Sequence, residues 1–165
     1  FVDGTDDVVL DDTYKEYMFT FKDLHPSEEV SGIEFQANTA GGSGYNETIT
    51  STYFRPTHNE DGTGGALAYQ ASQDEAQGTG FQNIGQAIGI DNDQSAAGYL
   101  HIFNPASNDF VKHFIAKTNN YHNLDHTRCV YTAGYININA AVDEFQFKFP
   151  NGNIDSGDIC LYGIK

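Results

Sequence analysis

Three phenylalanines at every second position, Phe145, Phe147 and Phe149, constrain this chain more than any other feature. Glu144, Gln146 and Lys148 stand between them. A strand sends successive side chains to opposite faces, so the run has one aromatic face and one wet face. A helix would scatter the three rings around its circumference. Pro150, Asn151 and Gly152 stop the run with turn chemistry. Ile159, Leu161 and Gly163 then share one face of a final short strand. The block predicts a half-buried antiparallel sheet.

The same alternation returns elsewhere. Tyr17, Phe19 and Phe21 form one aromatic face, and Ile33, Phe35 and Ala37 another. Residues 48–54 are β-branched and aromatic, and 66–70, 99–103, 110–117 and 128–138 read as further strands. Residues 119–127 read as a polar loop. Between 71 and 97, Gly78, Gly80, Gly85 and Gly89 argue against a long helix, while Phe81, Ile84, Ile88 and Ile90 need burial. The expectation is all-β: an antiparallel two-sheet β-sandwich of jelly-roll type with eight or nine strands. Residues 1–12 are expected to be an acidic extended N-terminal arm, and 13–165 a single jelly-roll β-sandwich domain.

A chain of 165 residues can bury roughly two-thirds of its unfolded surface without metal or disulfide staples. Its apolar fraction is low, but 12 Phe and 10 Tyr compensate, at about 2–3 kcal/mol for each buried ring. Twenty-three acidic residues against 8 basic ones give a net charge of −15. No basic stripe suits a nucleic-acid backbone or an anionic lipid surface, so neither is an expected partner. The acid reads first as a solubilising surface, with calcium binding or adaptation to salt as alternatives. No apolar run approaches eighteen residues, and no signal peptide is visible. Cys129 and Cys160 fall on expected strands and read as small buried thiols, bridged only if those strands are neighbours.

The chemical motifs are weak. Gly41-Gly42-Ser43-Gly44-Tyr45 comes closest to a nucleophile elbow but fails at its last position and has no helix after it. His122, His126 and Cys129 are of zinc-ligand type, yet H-x-x-x-H aligns two imidazoles in a helix, and this segment reads as a loop. Asp91-Asn92-Asp93-Gln94-Ser95 opens like a calcium loop but has Ala96 where glycine is needed and Ile102 where glutamate should close it. Asn46-Glu47-Thr48 fits a glycosylation acceptor. Paired carboxylates for glycoside hydrolysis have no sequence signature, because their pairing is spatial. Tyr45, Tyr53, Tyr69 and Tyr121, in or near loops, are candidates to stack on a sugar, with plain packing as the competing role. No catalytic, cofactor-binding or metal-ligating residue is assigned, and no cofactor is expected.

Three segments carry a resemblance. They are T-Y-K-E-Y-M-F-T-F-K-D-L-H-P (13–26), G-Y-L-H-I-F-N-P-A-S (98–107) and F-P-N-G-N-I-D-S-G-D-I-C-L-Y-G-I-K (149–165). In this order the chain resembles small virion structural proteins of tailed bacteriophages, marine phages in particular. The last segment is the most specific, and residues 1–12 fall outside the likeness. The resemblance implies a non-enzymatic capsid decoration or cement protein, or part of a head fibre or tail. Its partners would be the major capsid protein or neighbouring virion proteins and further copies of itself, as a trimer, on the particle surface. A tail or fibre module that binds a carbohydrate receptor is the second expectation, and a hydrolase on the same scaffold the third.

Overall fold

A computed structural model describes residues 1–165. It contains eleven strands and no helix: β1 (Glu16–Pro26), β2 (Glu34–Thr39), β3 (Ile49–Asn59), β4 (Gly65–Tyr69), β5 (Ala76–Gly78), β6 (Gln82–Asn83), β7 (Ala96–Phe103), β8 (Lys112–His122), β9 (His126–Ile136), β10 (Val142–Lys148) and β11 (Ile154–Ile164). The count exceeds the eight or nine expected, because β5 and β6 are two- or three-residue pieces within 71–97. Segments that short carry no legible alternation.

Two antiparallel sheets face each other. The large one runs β11-β1-β7-β8-β9-β3-β4, with β5 added beside β3. The small one runs β10-β2-β6. The first strand pairs with the last, the second with the tenth, and the third with the ninth.

Alternation decides which residues fill the space between the sheets. Tyr17, Phe19 and Phe21 of β1 point inward and are buried, as are Phe35 of β2, Phe114 of β8 and Phe145 of β10. Phe19 lies at the centre, with ring centroids 5.1 Å from Phe1, 5.3 Å from Phe145 and 4.9 Å from Phe147. Ile159 and Leu161 of β11 close the same cluster. In β2 the pattern breaks. Gln36 is buried beside Phe35 and Ala37, and its amide donates to the carbonyls of Glu47 and Gly80.

Two glycines show how closely the sheet is built. At Gly157 the backbone has a φ of +108°, opposite the bulge that shifts the β1–β11 register after Lys22. At Gly98 an added Cβ would collide with the Lys117 carbonyl of the next strand.

The first twelve residues are not a free arm. Leu10 is buried, Val2 bridges Glu144, and the Phe1 ring sits against Phe19 and Phe147. The acidic residues dominate the composition there, but the few apolar ones decide the placement. The final strand is also longer than expected, because Ile154–Ser156 continue its pairing with β1 past a bulge.

Candidate functional site

The outer face of the large sheet carries an aromatic row. Tyr99 lies opposite Lys117, Lys117 opposite Tyr131, Tyr131 opposite Phe54, and Phe54 opposite Tyr69. Five adjacent strands therefore contribute one residue each, over about 19 Å at the usual strand spacing. Phe54 and Tyr131 stack with centroids 4.9 Å apart and planes 2° from parallel. The Lys117 ammonium lies 5.2 Å from the Tyr131 centroid. Phe54 is 40% exposed, Tyr99 36% and Tyr69 55%. Leu67 and Ile115, in the flanking rows, are exposed as well. Solvated sheet faces are ordinarily polar, so an apolar row of this length is unusual for a strongly acidic chain.

The inner face of the same sheet changes character toward β3 and the far ends of β8 and β9. Here Tyr53, Thr118, Asn120, His122, Arg128 and Thr132 are buried. The small sheet reaches them only through its edge strand β6, and residues 84–88 continue the roof from there. Polar side chains hold it down. Thr118 Oγ1 donates to the Ile84 carbonyl at 2.6 Å, Tyr53 Oη to Asn83 Oδ1 at 3.1 Å, and Ser51 Oγ to Gln82 Oε1 at 2.5 Å. Burial pushes the Tyr53 phenol above its usual range.

His122 and His126 face each other across the β8–β9 hairpin, with ring centroids 3.9 Å apart and planes 19° from parallel. Residues 119–127 are thus a strand end, a tight turn and a strand start, not a polar loop. A hairpin aligns an H-x-x-x-H pair as well as a helix does. Each imidazole accepts a hydrogen bond: His122 Nδ1 from the Leu124 amide at 3.0 Å, and His126 Nε2 from Arg128 Nη2 at 3.3 Å. Burial, then Arg128, then the neighbouring imidazole hold His122 down at about 3. Burial also lowers His126.

The third zinc-type residue does not join them. Cys129 alternates to the outer face, and nowhere do three His, Cys, Asp or Glu side chains gather to hold a metal ion. Neither cysteine is a buried thiol: Cys129 is half-buried and Cys160 exposed, both free. The strands that carry them are four steps apart in the sheet.

Ser43 lies in an exposed turn, with Gly44 at a φ of +99°. The 91–95 segment is a turn closed by its own Gln94, whose Oε1 accepts from the Asp91 amide at 3.1 Å. Asp93 borders a polar groove of about 430 Å³ with Asp23, Asp155 and His25. Asn46 is exposed.

Of the four tyrosines picked from the sequence, only Tyr69 belongs to the aromatic row. Tyr53 is buried, Tyr45 is half-buried beside Glu144, and Tyr121 sits at the end of β8 near Glu60. Phe54, Tyr99, Lys117 and Tyr131 were missed. Their strands were legible, but the register that aligns them is not a property of any one strand.

No protein-family model, curated protein or solved structure matches this chain.

Proposed function

We propose that the chain is a non-enzymatic structural protein of a bacteriophage particle, a capsid decoration or cement protein that binds and stabilises the assembled shell. The observation that carries this reading is the uncovered aromatic face of the large sheet on a molecule of net charge −15. The charge discourages nonspecific aggregation, and the apolar face supplies a surface for docking. The three segments that resemble virion proteins lie on β1, β7 and β11, which are adjacent in the large sheet. That adjacency supports treating them as one shared structural unit. The nested pairing of first with last, second with tenth and third with ninth strand supports a jelly-roll path. The protein is a trimer on the particle surface, with the major capsid protein or another virion protein as its neighbour.

The test is cosedimentation with purified capsids, together with the native mass. The expected result is a trimer that pellets with shells and loses the shells when Phe54 and Tyr131 are both replaced by alanine. A monomer with no affinity for shells would end the reading.

The aromatic row also favours a second reading, a carbohydrate-binding module of a tail or fibre. Exposed aromatic side chains along one sheet face offer apolar contact to sugar rings. A glycan array with no bound sugar removes it.

A further inference from the structure

The chain has two arginines, Arg55 and Arg128, and both lie in the polar half of the interior. Phe54 lies opposite Tyr131 and Thr57 opposite Arg128, so Arg55 stands one diagonal step from Arg128 on the same face, about 7–8 Å between Cα atoms. Arg128 is only 7% exposed and Arg55 is half-buried.

Neither guanidinium has a carboxylate partner. The ion pairs of the protein are Lys15–Asp12 and Lys22–Asp158. Arg128 Nη1 reaches the Gln86 carbonyl and Gln86 Oε1 only at 3.4 Å each, and its Nη2 reaches His126. Its Nε is buried with no acceptor. Arg55 Nε and Nη1 are likewise buried with no acceptor. Twenty-three carboxylates are available in the chain, and none compensates these two cations.

An unpaired buried charge is costly, and a guanidinium presents a planar fork of donors matched to an oxyanion. Both ring nitrogens of His126 are already engaged, with the Leu124 carbonyl and Arg128, and His122 Nδ1 accepts from the Leu124 amide. We infer that Arg55 and Arg128 form a binding site for a small oxyanion, entered at Arg55 and completed by the buried Nε of Arg128. The carboxylate of an acidic sugar and a free tetrahedral anion such as sulfate share this chemistry. The site is on the inner face of the sheet, so it does not depend on the outer aromatic row or on the virion reading.

The two arginines make the test direct, because a ¹⁵N-labelled sample has two arginine Nε resonances. The intact protein is titrated in parallel with acetate, glucuronate and sulfate, each against chloride at constant ionic strength. Saturable shifts of both Nε signals are expected with at least one of the three. Acetate and glucuronate acting without sulfate assigns a carboxylate; sulfate alone assigns a tetrahedral anion. Arg55→Gln should weaken that binding by about tenfold or more, with Arg55→Lys between the two, because lysine keeps the charge and loses the fork. A melting curve on each variant checks folding. Shifts that stay linear with all three anions, or an Arg55→Gln variant that is folded and binds normally, would overturn the site.

Discussion

The two halves of the interior are held together by different physics. Under the small sheet, Phe19, Phe35, Phe114, Phe145 and Phe147 pack ring to ring. Burial of apolar surface is non-directional, so this half tolerates small shifts and responds little to pH. Under residues 82–88, Tyr53, Thr118, Asn120 and Arg128 meet β6 and the irregular backbone after it through directional bonds, with His122 buried beside them. Each of those groups is expensive to leave unpaired. The contrast teaches where binding can arise. A closed aromatic core has no unmet chemical demand, whereas a polar core with orphaned donors does.

Four experiments would break or sharpen that contrast. Phe19→Ala should have the largest effect, a loss of about 3–5 kcal/mol of stability in urea unfolding at constant pH, because the ring touches Phe1, Phe145 and Phe147. A loss below about 1 kcal/mol would mean that the aromatic half is not the main source of cohesion. Gln82→Ala should cost less, about 1–3 kcal/mol, by stripping partners from Ser51 and from the Gln73 and Asn83 carbonyls. A neutral result would show the roof to be held by Ile84 and Ile88 rather than by its polar ties.

Acid should act next on the polar half, through its two imidazoles. The folded-state pKa of His122 lies at about 3, below its ordinary 6.5. Between those values the unfolded chain binds a proton at His122 that the folded chain does not, so the contribution of His122 to stability falls as pH drops from 6.5 toward 3. His126 acts in the same direction. His122→Asn should flatten that slope in a pH series of melting temperatures, and an unchanged slope would place the acid sensitivity elsewhere. Tyr131→Ala should have the smallest effect on stability, under about 1 kcal/mol, because it lies on the solvated face. A larger loss would make the outer row part of the fold rather than a surface for partners.

Legibility followed the same division. Phe145, Phe147 and Phe149 announced a sheet, and Tyr17, Phe19 and Phe21 announced its partner, because large apolar side chains at period two leave few alternatives. Residues 71–97 did not reveal a roof. Gln82 and Gln36 are both buried, and nothing local says that a glutamine will be buried with its bonds satisfied. The acidic start misled for a related reason: charge dominates its composition, but Phe1 and Leu10 fix its position. The hairpin that stacks His122 on His126 was hidden by reading 119–127 as a loop.

The sequence alone settled that the chain is all-β, and which face of most strands is apolar, since both follow from a period of two within a few residues. Tertiary structure decided which strands are neighbours and in what register. That choice aligned Tyr99, Lys117, Tyr131, Phe54 and Tyr69 from five strands and brought Arg55 beside Arg128. Strand pairing joins segments far apart in the chain through backbone groups that every residue carries, so side-chain pattern within one strand does not encode it.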